Sequence, residues 1–234
     1  MNQKGRQKVN YQKKTDEAIR TLTKDGAVPQ LLLHSCCAPC SSYVLEYLSR
    51  YFELTVFYYN PNISPAEEYD KRADELERLV SELAFEHPVH VIRGRYEPER
   101  YYAVAKGLEN EKEGGERCTR CFELRLDEAA KTAKKLGIPL FTTTLTISPL
   151  KDAERLNAIG EAAAARHGIS FLPSDFKKKN GYLRSITLSK EHHLYRQNFC
   201  GCIYSKNEAQ TREQGKRGIN YGSALGRKIY EGNR

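Results

Sequence analysis

No apolar run in this chain approaches the roughly 20 residues that a membrane-spanning helix needs, and its N-terminus lacks the apolar stretch of a signal peptide. These absences predict a cytoplasmic protein with no membrane partner. A glycine-rich phosphate loop is also missing, so a nucleotide-triphosphate role would rest on fold alone, and fold does not give function. Internal repeats and low-complexity tracts are absent too. What is present is 234 residues, the length of one domain or of one domain with an appendage, with 39% hydrophobic and 10% aromatic content, enough for a core. Acidic residues are scarce where basic ones gather. Residues 1–14 carry Lys4, Arg6, Lys8, Lys13 and Lys14 without one acid, and 176–196 carry Lys177, Lys178, Lys179, Arg184, Lys190 and Arg196 against Glu191 alone. Basic residues recur from Lys206 to Arg234, and the net charge is +8. Such patches suit a polyanion, usually nucleic acid; the plainer reading is solvated tails and a soluble surface.

Seven cysteines are an odd number, and in a reducing compartment disulfides explain them poorly. They fall in three clusters: Cys36-Cys37-x-x-Cys40, Cys118-x-x-Cys121 and Cys200-Gly201-Cys202. The first follows the apolar run Leu31-Leu32-Leu33, a poor way to build a core and a good way to aim soft ligands at one point. Glycine between Cys200 and Cys202 lets the backbone bring both sulfurs to one face. Thiolates favour zinc, copper(I) and iron–sulfur clusters. One tetrahedral site takes four ligands and leaves three thiols over, enough for a second metal beside the first. Iron–sulfur is the favoured reading, with structural zinc and thiol redox chemistry as alternatives. Spacing does not assign any one thiol to either centre.

Along the chain, residues 1–28 read as a basic arm with a short helical pattern near Thr15–Leu22. Strands are expected at Leu31–His34, Leu54–Tyr59, Val89–Ile92, Leu140–Thr146 and Ile169–Pro173, from their short β-branched or apolar runs. Helices are expected at Ser41–Tyr51, Pro65–Phe85, Glu97–Lys106 and Arg120–Leu136, and from Ser148-Pro149 to about His167. This alternation predicts an α/β fold, a Rossmann-like parallel sheet with helices on both faces and its site beyond the carboxyl ends of the strands. The expected organisation is a basic arm (1–28), an α/β metal-binding catalytic domain (29–205) whose basic C-terminal segment completes the site, and a basic tail (206–234).

Other candidates sit near these clusters. Asp175 follows a strand end and is a candidate general acid or metal ligand, against the commoner fate of a turn aspartate. His34 precedes the cysteines and is either a sulfur hydrogen-bond partner or a satisfied buried histidine. Tyr59 and Asn60, at a strand end, offer a ring face and an amide to a base; as core strand and turn they need no function. Tyr182, Arg184, Tyr195 and Arg196 interleave aromatics with arginines ahead of Cys200, which reads either as an RNA-leading surface or as a solvated helix face.

Six strings then come together: His34-x-Cys-Cys-Ala-Pro-Cys40, Tyr59-Asn-Pro-Asn-Ile63, Arg117-Cys-x-x-Cys-Phe-x-x-Arg-Leu126, Thr142-Thr-Thr-Leu-x-x-Ser-Pro149, Gly181-Tyr-x-Arg-Ser185 and Leu194-Tyr-Arg-Gln-x-x-Cys-Gly-Cys202. In this order, across residues 30 to about 205, they resemble the QueH epoxyqueuosine reductases. The resemblance implies a fold like that of the nucleotide α-hydrolases and removal of the epoxide oxygen of epoxyqueuosine in the tRNA anticodon wobble position. It implies a [4Fe-4S] cluster beside a second, mononuclear iron, and an unidentified electron donor. On that basis Cys36, Cys118, Cys121 and Cys200 are expected to hold the cluster, and Cys37, Cys40 and Cys202 the second iron. Family members with aspartate where Cys40 stands make position 40 a metal ligand of either kind. Asp175 or Tyr182 is expected to supply a proton, and the basic segments to hold the anticodon stem-loop. Two rivals stand beside this: a tRNA-thiolating enzyme of the same fold group, which needs ATP and a phosphate loop, and a zinc-stabilised RNA-binding protein.

Overall fold

The computed structural model describes residues 9–214. Its centre is a five-stranded, all-parallel sheet in the order β3-β2-β1-β4-β5, with β1 at Gln30–Ser35, β2 at Glu53–Tyr58, β3 at Val89–Arg93, β4 at Leu140–Thr143 and β5 at Ser170–Phe171. The strands alternate between two cores. Leu31, Leu33, Leu54, Val56 and Tyr58 pack on one face against α2 (Ala38–Leu48) and α3 (Ala66–Glu82). Leu32, Phe57 and Phe141 pack on the other against α5 (Glu116–Lys135) and α6 (Ala153–His167). Burial on both faces is why these strands read as unbroken apolar runs rather than as alternating ones. Leu31, Leu32 and Leu33 are each wholly buried, worth about 1.5–3 kcal/mol apiece.

The chain runs outward from β1 through β2 to β3, then returns to place β4 on the other side of β1. The strand order therefore reverses between β1 and β4. The crevice beyond the carboxyl ends of those two strands is where an open α/β sheet presents its ligand site.

Several boundaries differ from expectation, each for a local reason. Residues 9–28 are not an arm: α1 (Tyr11–Leu22) is capped by Asn10 and buries Ile19, and Thr15 Oγ1 donates to Pro173 O at 2.7 Å. Residues 1–8 lie outside the described residues. α2 starts at Ala38, so Cys40 falls in its first turn, and α5 starts at Glu116, ahead of both its cysteines. β4 ends at Thr143 because the Thr143 hydroxyl accepts the Leu145 N–H and turns residues 144–147 into a 3-10 helix. α6 starts at Ala153 rather than Pro149, because the Asp152 carboxylate takes the N–H groups of Glu154 and Arg155. Beyond residue 173 the chain stays ordered: α7 (Gly181–Glu191) packs on α2, and residues 203–214 are helical. Of the expected basic tail, 215–234 lie outside the described residues. α4 (Pro98–Ala105) packs on α5.

Candidate metal centre

Cys36 leaves the carboxyl end of β1, Cys37 is the extended N-cap of α2, and Cys40 lies in the first turn of that helix. Their three sulfurs lie within 4.8 Å of one another, with Cys36 and Cys37 at 3.7 Å. A tetrahedral metal with bonds of ~2.3 Å to sulfur sets its ligands ~3.8 Å apart, so this spacing fits a shared ion. The Thr144 hydroxyl, just past β4, donates to Cys36 Sγ at 3.7 Å, which puts the group at the reversal of strand order. The three thiols split one another's acidity. Hydrogen bonds with Cys36 and Cys40 hold Cys37 well below the ordinary thiol range, and contacts with Cys36 and then Cys37 push Cys40 well above it.

The other four cysteines come from the opposite wall. Cys118 and Cys121 face inward from α5; Cys118 Sγ accepts the Gly114 N–H at 3.2 Å, and Cys121 is buried with Cys202, Tyr101 and Ala105. Cys202 Sγ accepts the Ser205 N–H at 3.4 Å. Burial raises the cost of ionising Cys118 and Cys121, and nearby Cys200 adds to it. Burial, chiefly, pushes the Cys121 thiol up to about 12. A bound cation reverses that penalty by its own charge. All seven cysteines are free thiols.

The loop carrying Cys200 and Cys202 is pinned by backbone and by arginine. Gly201 O accepts the Ser64 N–H at 3.0 Å, and Arg72 Nη1 donates to Cys200 O at 3.0 Å. Gly201 has φ +137°, and a Cβ there would lie 2.8 Å from Ile63 Cγ1. Only glycine fits. Between the two walls opens a cavity of about 300 Å³, lined by Cys36, Cys40 and Cys200 together with Arg125, Lys151, Tyr182 and Arg196. Burial opposes the charge of Lys151, and the Cys200, Cys36 and Cys40 thiols more than offset it, raising its pKa.

Of the other expected residues, the structure brings Tyr182 and Arg196 to this cavity and leaves the rest elsewhere. Asp175 is ion-paired with Lys177 at 2.6 Å and lines a separate cavity beside α1; the turn-aspartate reading describes it. Tyr59 and Asn60 are buried, at 1% and 0% exposure, which removes them from contact with an external RNA. Tyr59 donates to Glu97, and Asn60 Nδ2 donates to Ser35 O. Arg184 is paired with Glu46 at 2.6 Å and with Glu191 at 3.3 Å. Tyr195 donates to Glu68, and Lys71 Nζ sits 3.5 Å over its ring. Three of the six basic residues in 176–196 are thus neutralised: Lys177 by Asp175, Lys179 by Asp16, Arg184 by two glutamates. Arg196 Nη1, by contrast, meets the neutral Ser189 hydroxyl. His34 is satisfied inside the sheet, with Nδ1 to Thr143 Oγ1 and Nε2 to Tyr59 O, and burial lowers its pKa to about 3. It is neutral and makes no sulfur contact.

Three cations at the site were not among the expected residues. Arg72 and Arg125 are each 1% exposed, and each leaves a guanidinium nitrogen without a partner, Nη2 and Nε respectively. Lys151 is the third. Arg125 had a sequence signal, four residues past Cys121 on a helix face. Arg72 had none, because nothing in its helical run separates an inward arginine from a solvated one.

Fold and site together define a Rossmann-like α/β protein that gathers cysteines of metal-binding geometry at the strand-order reversal of its sheet. The chain belongs to the QueH family: the family model described as epoxyqueuosine reductase QueH matches residues 31–208. Among curated relatives bearing that name, the protein of Staphylococcus epidermidis is 42% identical over 203 residues, 85% of each chain. That of Streptococcus pyogenes is 41% identical over 201 residues, 85% of this chain and 79% of its own. That of Thermotoga maritima is 34% identical over 185 residues, 78% of this chain and 93% of its own. Membership makes this protein a reductase. Among the described residues no helix is long and apolar enough to cross a membrane.

Proposed function

We propose that the protein removes the epoxide oxygen of epoxyqueuosine in the wobble position of a tRNA anticodon, giving queuosine, in the cytoplasm and with electrons from an unidentified donor. Residues 29–205, with α1 packed against them, form the catalytic unit. The observation that carries the reading is the convergence of Cys36 and Cys40 with Cys200 on one cavity that also holds Tyr182, Lys151 and Arg196, with Cys118 and Cys121 near Cys200. The donor set fits a thiolate-held centre. It consists of free thiols, three of them at ligand spacing, with unpartnered guanidinium nitrogens beside them.

Their grouping favours exchanging two residues in the expected assignment. Cys36, Cys37 and Cys40 would hold the mononuclear iron, and Cys118, Cys121, Cys200 and Cys202 the [4Fe-4S] cluster. When bound, these groups supply electrons one at a time and a Lewis-acidic site for an oxygen. The overall change breaks two C–O bonds and forms one C=C bond, and the oxygen leaves as water after taking up two electrons and two protons. Tyr182 lines the cavity and would deliver a proton to the departing oxygen, a role that Asp175, lining a separate cavity, would not fill. Lys151 and Arg196 give the cavity a positive wall that suits an anticodon backbone. Salt-dependent, sequence-tolerant affinity would come from such contacts, and selectivity from the shape of the 300 Å³ cavity.

The test is the iron, sulfide and zinc content of anaerobically purified protein, followed by assay on tRNA carrying the epoxide. The reading expects about five irons and about four sulfides per chain with a broad absorption near ~400 nm, and epoxide loss that depends on reductant. Stoichiometric zinc without sulfide, persisting after iron–sulfur reconstitution, would overturn it.

A further inference from the structure

Among the described residues three arginines are buried to 1% exposure: Arg72, Arg117 and Arg125. Two of them meet a carboxylate, Arg72 at Glu68 (2.7 Å) and Arg117 at Glu208 (3.2 Å). Arg125 does not. Its Nη2 donates to the amide oxygen of Asn60 at 2.5 Å, its Nη1 lies 4.0 Å from Cys121 Sγ, and its Nε has no partner. A guanidinium does not shed its proton in proteins, and an uncompensated buried charge costs several kcal/mol. Some negative charge must therefore answer it. The groups around it that carry negative charge once a cation takes their protons' place are cysteines, one from each of the three clusters: Cys121 at 4.0 Å, and Cys36 and Cys200, which line the same cavity as its side chain.

Asn60 makes the arrangement more pointed. Its Nδ2 is tied to Ser35 O at 3.0 Å, so its Oδ1 is fixed as a neutral acceptor for the guanidinium. An aspartate there would aim the arginine equally well and cancel its charge. The amide aims it and leaves the charge whole. From α5, Arg125 thus sits at Cys121 and lines the cavity that Cys36, Cys40 and Cys200 also line.

We propose that Arg125 is the built-in counter-cation of the cysteine-held metal centre, a positioning residue whose uncancelled charge stabilises the centre's negative charge and raises its reduction potential, with Asn60 serving to aim it. A positive charge at a centre that gains negative charge on reduction favours the reduced form. The inference rests on reading the cysteines as a metal centre, and does not require that the centre reduce an epoxide.

The test compares the full-length native protein with Arg125→Lys and Arg125→Gln, each loaded anaerobically. Midpoint potential is read by redox titration, and metal retention by competition with a chelator. Arg125→Gln is expected to shift one-electron uptake about tenfold toward the oxidised form, a fall of about 59 mV. Arg125→Lys, which keeps the charge, is expected to stay near the native value. Loss of the metal from Arg125→Gln with retention in Arg125→Lys would support the same conclusion. Equal behaviour of the two variants, whether both native-like or both equally impaired, would overturn it and leave Arg125 a packing role. If the native protein holds zinc and has no redox couple, the reductase reading falls while this one stays testable. A chelator ranking of native, then Lys, then Gln would then support the counter-cation, and equal retention would refute it.

Discussion

Replacing Gly201 by alanine should loosen the metal centre while leaving the sheet intact. Gly201 sits at φ +137°, and the added Cβ would meet Ile63 Cγ1 at 2.8 Å and Arg72 Nη1 at 3.2 Å. Holding a non-glycine residue in such a conformation costs about 1–3 kcal/mol, and the two close contacts add to this, so ~2–4 kcal/mol is a fair total. The cheapest relief is to move the 200–202 loop. Its ties are two hydrogen bonds of 3.0 Å, Ser64 N to Gly201 O and Arg72 Nη1 to Cys200 O, and the new methyl presses on the residues that make them. Moving that loop carries Cys200 and Cys202 away from Cys118 and Cys121. At 1.4 kcal/mol per factor of ten, metal retention should weaken between about 30-fold and about 700-fold. The assay is chelator competition on anaerobically loaded full-length protein, beside thermal melting followed by far-ultraviolet circular dichroism. Melting should fall only slightly, because neither sheet face touches residue 201. A Gly201→Ala protein that keeps its metal within about threefold of native would refute the reasoning.

Serine at Cys37 or Cys40 should lower iron by one per chain and spare sulfide, whereas serine at Cys118 or Cys121 should lose sulfide and most iron together; inorganic sulfide assay separates the two patterns. Tyr182→Phe should reduce single-turnover epoxide loss by about 10² with tRNA affinity unchanged, while Asp175→Asn should leave turnover near native and lower only the melting temperature. Arg196→Ala should weaken tRNA binding and flatten its salt dependence by about one unit of slope. Arg184→Ala, whose charge Glu46 and Glu191 already answer, should change neither.

The sheet could be read from the chain because its signals are local. Leu31-Leu32-Leu33 and Leu54–Tyr58 are buried on both faces, and such runs announce a parallel strand without any knowledge of neighbours. The cysteine clusters were equally plain, since no core needs thiols at that density. Residues whose meaning depends on a distant partner were misjudged. Tyr59 and Asn60 looked like a base-reading pair and turned out to be interior, because the closing turn of β2 folds under α5 rather than over the cavity. Arg184 looked like a phosphate ligand until Glu46, far away in sequence, took its charge. Asp175 reads as a candidate acid or metal ligand from its strand-end position, and Lys177 neutralises it. Arg72 was invisible for the converse reason: an arginine on a charged helix face gives no hint that it points inward.

The spread of the thiols along the chain has a consequence for synthesis. Cys36 emerges from the ribosome early, whereas Cys200 and Cys202 emerge only after every strand and its covering helices have been made. Every strand and covering helix of the sheet is therefore available to pair before its last ligands arrive. Assembly factors would therefore meet an almost finished molecule with one unlatched strap, rather than a nascent chain. The same strap is held by two hydrogen bonds and a fitted glycine, so opening it to exchange a centre would break those contacts and none within the sheet.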